Sequence, residues 1–183
     1  MNILVTGGLG LIGHNVVKRL QAQGHIVSIV DTKTNYGIIP QDQLDHLIAE
    51  RTKNLDLSGL YIKDISDVNE MDYVFNIEQP EIVIHLASFP RQKVVNANPA
   101  QGSRVMSEGL INLLEMSDRY EVRKFVYTSS SMVYGDFKDD VKEDAICRPQ
   151  GQYGILKLAG EWLIKDYARR TGLSYTIIRP SAV

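Results

Sequence analysis

The chain has 183 residues, of which 44% are hydrophobic and 23% charged, a composition typical of a globular domain with one core and too short for two large domains. A formal net charge of −2 gives no electrostatic reason to expect a nucleic acid or an anionic membrane as partner. A single cysteine, Cys147, excludes an internal disulfide and fits a reducing compartment.

The first predicted elements are a strand over residues 3–5, a glycine turn, and a helix over residues 11–20. The strand begins at once at the N-terminus and no apolar run is long enough to span a bilayer. We therefore expect neither a signal peptide nor a membrane span, and a cytoplasmic location. Gly7 permits the tight turn, Gly10 leaves room for a pyrophosphate, and Gly13 allows helix and strand to pack closely. The helix N-terminus would present free N–H groups to the phosphates.

The second predicted strand, residues 26–30, decides how the glycine turn is interpreted. By itself the spacing of the glycines is also compatible with a turn that binds nothing. The strand ends in Asp31, however, and a carboxylate there can accept hydrogen bonds from both ribose hydroxyls of an adenosine and would repel a 2′-phosphate. The sequence thus favours NAD over NADP, and only the nearby Lys33 argues for the opposite preference.

The remaining periodicity alternates between strands and helices, which predicts right-handed βαβ units and a doubly wound parallel sheet. Residues 32–54 form a polar loop with one short helix near 43–51. Predicted strands follow at 60–63, 81–86, 124–128 and 173–178, and predicted helices at 67–77, 98–118 and 149–170. The chain stops on an apolar segment directly after a strand. We therefore expect residues 1–183 to be a dinucleotide-binding domain whose substrate domain lies outside the sequence.

Three residues of reactive types are weighed for a structural role. Asp64 lies where ligands bind to such sheets, yet it could equally cap the next helix, a role for which Asp67 competes. His85 lies within a predicted buried strand and is expected to be a core residue without chemistry. Cys147 is expected to be an ordinary loop residue.

Tyr153 and Lys157 stand four residues apart on the helix predicted over 149–170, and hence on one face. A cation beside a tyrosine, together with a positive nicotinamide ring, lowers the phenol pKa from about 10 toward neutrality, so that the pair can act as a base. Such pairs also occur by chance in helices. A serine run, residues 129–131, follows the fifth strand at the same sheet edge. One of these hydroxyls could orient a substrate oxygen, and the others are expected to make local turn contacts.

In order and spacing these motifs resemble the extended short-chain dehydrogenase/reductases, and within them the NAD-dependent nucleotide-sugar epimerase/dehydratase family. The resemblance covers essentially the whole chain and implies an NAD(P)-binding Rossmann fold, a nucleotide-sugar substrate and a homodimer. It also implies Ser130, Tyr153 and Lys157 as catalytic residues, and no metal. The cofactor contacts that it implies, besides Tyr153 and Lys157, are Gly7, Gly10, Leu11, Ile12, Gly13, Asp31, Asp64, Ile65, Leu86, Ala87 and Ser88.

Departures from the family pattern narrow the expected reaction. Gly102 and Met106 stand where relatives often carry Tyr and Asn. The polar contact by which those residues usually support the site is therefore absent here or supplied by other residues. Ser131 and Met132 stand where dehydratases and decarboxylases carry acidic residues, which disfavours elimination. The resemblance then implies an epimerase that works through a transient 4-keto intermediate. The alternatives are an NAD(P)-dependent keto-sugar reductase or dehydratase of the same family, and a module that senses NAD without catalysis.

Overall fold

A computed structural model describes residues 1–136 and 141–181 of the chain. Residues 182–183, on which the expectation of a further domain partly rests, lie outside this part. The strands, labelled β1 to β6 in chain order, are Asn2–Thr6, Ile26–Asp31, Leu60–Ile62, Ile82–His85, Lys124–Thr128 and Ser174–Ile178. The α-helices, labelled α1 to α7, are Leu11–Ala22, Gln41–Thr52, Val68–Glu78, Gln92–Ala97, Pro99–Ser103, Gly109–Arg119 and Gly151–Thr171.

All six strands are parallel and lie in the order β3-β2-β1-β4-β5-β6. The order reverses between β1 and β4, and ligands of open α/β sheets bind in the crevice at such a switch point. In the centre of the sheet Val5 of β1 lies opposite Ile29 of β2 and Ile84 of β4. The predicted doubly wound fold is confirmed.

Helices cover both faces of the sheet, which explains why its central strands are apolar without alternation. One core lies between the sheet and α3, α6 and α7 and includes Leu4, Phe75 and Phe125. The other core lies between the sheet and α1 and includes Val5, Val17 and Ile29. Within the described ranges, no helix has both the length and the apolarity that a bilayer span requires.

Three local elements were not predicted from the sequence. The segment before Pro99 forms the short helix α4, which places Val94 and Val95 in a third apolar cluster. The predicted continuous helix 98–118 is interrupted by a π-helical turn, Arg104–Glu108, between α5 and α6. The serine run leads into a 3₁₀ turn, Ser131–Tyr134. Each of these elements is shorter than the window that hydrophobic periodicity needs.

Candidate functional site

A cavity of about 650 Å³ opens at the carboxyl edge of the sheet, above the switch point between β1 and β4. The sequence placed its candidate residues at the ends of five different strands, at the start of α1 and on α7, and the fold brings them together here. Every predicted site residue lines this cavity, namely Gly7, Gly10, Leu11, Ile12, Gly13, Asp31, Asp64, Ile65, Leu86, Ala87, Ser88, Ser130, Tyr153 and Lys157.

The glycine turn is packed so closely that Gly7 and Gly13 lie against backbone atoms and leave no room for a side chain. Gly7 has φ +72°, and a Cβ there would lie 2.7 Å from the Ala87 nitrogen. A Cβ on Gly13 would lie 2.1 Å from the Gly7 carbonyl oxygen, so Gly13 packs against the turn itself rather than against a strand. A Cβ on Gly10 would meet only that oxygen, at 3.2 Å. Gly10 is also the N-cap of α1 and offers no capping side chain, which leaves the first N–H groups of the helix for a ligand.

Asp31, at the end of β2, is bound to the glycine turn. Its Oδ2 accepts a hydrogen bond from the Leu9 nitrogen at 3.0 Å, and its Oδ1 accepts one from the Lys33 nitrogen at 2.8 Å. A carboxylate oxygen can accept more than one hydrogen bond, so both oxygens keep capacity for ribose hydroxyls. Asp31 therefore fixes the turn and faces the cavity at the same time.

Asp64 does not cap the following helix. Asp67 does so, since its side chain accepts hydrogen bonds from the Asn69 and Glu70 nitrogens. Asp64 instead accepts hydrogen bonds from the Ser66 nitrogen and hydroxyl through a single oxygen, Oδ1. The alternative that Asp64 is the helix cap is thereby wrong, and its carboxylate lies in the cavity wall.

The end of β4 is held by a threonine on the neighbouring strand. Thr6 Oγ1 lies 2.7 Å from His85 Nδ1 and accepts a hydrogen bond from the Ala87 nitrogen at 3.3 Å. His85 is 3% exposed and stacks on Tyr127, with ring centroids 5.7 Å apart. Burial lowers the pKa of His85 to about 3, with a contribution from Lys157. A histidine that stays neutral here fits the expected core role.

Ser130 begins the 3₁₀ turn after β5, and its Oγ accepts a hydrogen bond from the Met132 nitrogen at 3.2 Å. The neighbouring Ser129 donates from its hydroxyl to Glu161 Oε1 at 2.6 Å. The local turn contact expected for the other serines is thus made by Ser130 itself, whereas Ser129, for which such a contact was expected, bonds a side chain 32 positions away.

Tyr153 and Lys157 lie on one face of α7, and Lys157 Nζ is 5.9 Å from the centroid of the Tyr153 ring. Burial raises the pKa of Tyr153, and a hydrogen bond with Ser130 offsets part of the rise. Lys157 is 4% exposed, and burial lowers its pKa to about 7. Its Nζ donates to the Thr128 carbonyl oxygen at 2.7 Å. The three side chains therefore form one polar cluster in an otherwise buried setting.

Other residues of the cavity wall were not predicted from the sequence. Tyr36 packs edge-on against Phe89, with ring centroids 4.9 Å apart, and burial raises its pKa to about 12. Arg51 of α2 donates to the Leu9 carbonyl oxygen at 3.3 Å. Tyr36 and Arg51 belong to the stretch in which periodicity lapses, so no sequence pattern assigned them to the site.

The cavity has the features that a dinucleotide requires. It combines a turn too tight for side chains, an uncapped helix N-terminus and a carboxylate at the end of β2. In the described ranges, no group of three or more His, Cys, Asp or Glu side chains is placed to hold a metal ion.

Comparison with known proteins agrees with this geometry. The family model of the NAD dependent epimerase/dehydratase family matches residues 3–183. A putative UDP-glucose 4-epimerase of Methanocaldococcus jannaschii is 34% identical over 99% of this chain and 55% of its own length. The chain spans about half the length of the curated relatives it matches.

Solved structures of similar proteins share the fold. UDP-glucose 4-epimerase of Thermotoga maritima, solved with UDP-glucose, is 34% identical, with a TM-score of 0.84 over 98% of this chain and 55% of that one. The enzyme of Thermus thermophilus, solved with NAD, is 27% identical, with a TM-score of 0.83 over 98% and 54%. Membership of an NAD-dependent family confirms the predicted cofactor. This chain belongs to the NAD-dependent epimerase/dehydratase family.

Proposed function

We propose that this chain is the cofactor-binding part of a nucleotide-sugar 4-epimerase, with Ser130, Tyr153 and Lys157 as its catalytic residues. The observation that carries the proposal is their convergence in the cavity that the glycine turn and Asp31 also line. Relatives and neighbours described as UDP-glucose 4-epimerases support the same reaction class.

In the proposed mechanism, Tyr153 Oη removes the proton from a sugar hydroxyl, and Ser130 Oγ hydrogen-bonds the same oxygen to hold it in place. The glycine turn and Asp31 would hold NAD⁺, which would supply the hydride acceptor and donor needed to form the 4-keto sugar and to reduce it from its other face. Tyr153 then gives its proton back to the oxygen. Because burial raises the pKa of Tyr153, the hydrogen bond with Ser130 and the positive charge of Lys157 are needed to stabilise the phenolate.

Reduction of a keto-sugar is the main competing reaction. A reductase consumes the reduced cofactor with each turnover, whereas an epimerase shows no net consumption. Elimination is disfavoured because Ser131 and Met132 offer neither an acid nor a base beside Ser130.

The test is an assay of the full-length protein with UDP-glucose and UDP-galactose, followed by NMR of the sugars and by absorbance of NADH. We expect interconversion without net NADH. Tyr153→Phe should lower the rate about 10²- to 10⁴-fold and leave NAD binding intact. Tyr175→Phe, on the edge strand β6, is the control. Net consumption of NADH would identify a reductase, and full activity of Tyr153→Phe would exclude it as the base.

We also propose that the protein forms a homodimer through α6 and α7, as the resemblance implies. Ile155 and Trp162 of α7 are 51% and 64% exposed, which is unusual for large apolar side chains on one helix. Sedimentation of the full-length protein and of Trp162→Glu tests this, since the variant should dissociate. An unchanged sedimentation coefficient would exclude α7 as the interface.

A further inference from the structure

A buried ion pair lies directly behind the Ser130 segment. Glu161 of α7 and Arg179, just after β6, pair through two hydrogen bonds, from Nε to Oε1 at 2.9 Å and from Nη2 to Oε2 at 2.6 Å. The Glu161 side chain is fully buried and that of Arg179 is 15% exposed. A planar, bidentate pair of this kind fixes direction as well as distance.

The pair reaches both flanks of Ser130. On one side, Glu161 Oε1 accepts the hydrogen bond from the Ser129 hydroxyl at 2.6 Å. On the other side, Arg179 Nη1 donates to the Tyr134 hydroxyl oxygen at 2.7 Å, at the end of the 3₁₀ turn that Ser130 begins. The same nitrogen donates to the Glu143 carbonyl oxygen at 2.9 Å.

The backbone around Ser130 is tied to the same region. The Ser129 nitrogen donates to the Ile178 carbonyl oxygen at 2.8 Å, and the Ser131 nitrogen donates to the Pro180 carbonyl oxygen at 2.9 Å. Arg179 lies between these two acceptors in the chain. The segment that leaves β6 is therefore hydrogen-bonded to the residues on either side of Ser130, and Glu161 fixes Arg179 relative to α7.

Glu161 also stands one helical turn after Lys157, which stands one turn after Tyr153. One helix thus carries the proposed base, its lysine and the anchor of the Ser130 segment. We propose that Glu161 and Arg179 are positioning residues, which hold the Ser130 hydroxyl against Tyr153. This proposal rests on the function proposed above.

The charges of the pair support a permanent anchor. Burial alone would raise the pKa of Glu161, but hydrogen bonds from Arg179 and Ser129 hold that pKa below its ordinary value. Hydrogen bonding to Glu161 raises the pKa of Arg179. Both groups therefore stay charged across the range in which the enzyme would work.

The position of Ser130 has a measurable consequence at Tyr153. Three other titratable groups lie near the phenol: Lys157 on the same helix, with Tyr127 on β5 and His85 on β4 behind it. Glu161 stands two helical turns away from Tyr153 on α7. A change at Glu161 should therefore reach the pKa of Tyr153 through the hydrogen bond with Ser130, which lowers that pKa.

The experiment is a spectroscopic titration of Tyr153 in the full-length protein with NAD bound. Tyrosinate absorbance is recorded for the wild type and for Glu161→Gln, and the curve of the matching Tyr153→Phe protein is subtracted from each. We expect the pKa of Tyr153 to be higher in Glu161→Gln, and kcat to fall about tenfold while KM for the sugar and NAD content stay unchanged. An unchanged pKa of Tyr153 in a folded Glu161→Gln protein would overturn the proposal.

Two milder variants keep the test decisive if Glu161→Gln does not fold. Ser129→Ala and Tyr134→Phe each remove one flank contact and leave the ion pair intact, and each should raise the pKa of Tyr153 by a smaller amount. The control is Asp166→Asn, which breaks the exposed ion pairs with Arg169 and Arg170 on the same helix and should leave the pKa of Tyr153 unchanged. If neither flank variant moves the pKa, the proposal is wrong. Absence of epimerase activity in the wild type would instead contradict the proposed function, since the titration needs no turnover.

Discussion

The Lys157 ammonium lies 2.7 Å from the Thr128 carbonyl oxygen, and its pKa is lowered to about 7 because the group is buried. The unfolded chain, with an ordinary lysine pKa, binds more protons than the folded one above pH 7. Stability should therefore rise with pH from about 7 to about 10.5, by up to about 5 kcal/mol for a pKa shift of this size.

Lys157→Met removes this dependence. In the cofactor-free protein, we expect the free energy of unfolding of Lys157→Met to exceed that of the wild type most near neutral pH, with the difference shrinking toward pH 10. Urea unfolding at several pH values measures it, and Lys165→Met on the same helix is the control. A difference that does not vary with pH would contradict the lowered pKa of Lys157.

His85 should make the fold sensitive to acid. Burial lowers its pKa to about 3 from 6.5, so the unfolded state binds the extra proton between these values and stability falls as pH drops through them. His85→Gln should flatten this loss, whereas the exposed His46→Gln should not. Unfolding midpoints measured between pH 7 and pH 4 test the prediction. An equal fall of the midpoint with decreasing pH in the wild type and in His85→Gln would refute it.

Alanine substitutions at two glycines of the first turn should have different effects, one on stability and the other on cofactor binding. Gly13→Ala places a methyl group 2.1 Å from the Gly7 carbonyl oxygen and should cost about 1–3 kcal/mol of unfolding free energy. Gly10→Ala meets its nearest atom at 3.2 Å, so its cost in stability should be small. Its methyl group should nevertheless weaken NAD binding, because it faces the cavity. Calorimetric titration and thermal unfolding of both variants would show the contrast, and tight NAD binding by Gly10→Ala would contradict it.

Asp31→Asn should change the choice between cofactors. We expect NAD affinity to fall about ten- to hundredfold, because a hydrogen-bonded charge is lost. NADP affinity should rise, since Lys33 and Arg51 remain in the cavity wall without the opposing carboxylate. Asp56→Asn, which alters an exposed turn carboxylate that accepts from the Ser58 nitrogen, is the control. Calorimetric titration with both cofactors measures the ratio, and an unchanged ratio would refute the role of Asp31.

The sequence predicted a structural element or its end wherever neighbouring residues alone determine it. Strands β1, β2 and β4 lie in the middle of the sheet and are short apolar runs in the sequence, so their ends, including Asp31 and Ala87, could be placed at one sheet edge. Glycine is also the residue type that favours the end of a helix, and Gly172 ends α7 with φ +81°. These features depend on a few neighbouring residues.

Contacts between distant segments could not be predicted in this way. Arg51 reaches the glycine turn from 42 positions along the chain, and Arg179 reaches Glu161 across 18. Asp64 and Asp67 offer the same side chain three positions apart, and only the start of α3 shows which one is the cap. Such pairings follow from packing of the whole domain rather than from a local pattern.

The π-helical turn between α5 and α6 affects how residues of this chain should be matched with those of relatives. A π turn holds one residue more than an α turn, and one residue corresponds to a rotation of about 100°. A helical wheel assumes a regular α-helix. If it is extended backwards from α6 through the π turn, it therefore gives the direction of each residue before Arg104 wrongly, by about one position. Gly102 lies before the π turn and Met106 lies within it, so their directions are read from the three-dimensional structure and not from a helical wheel.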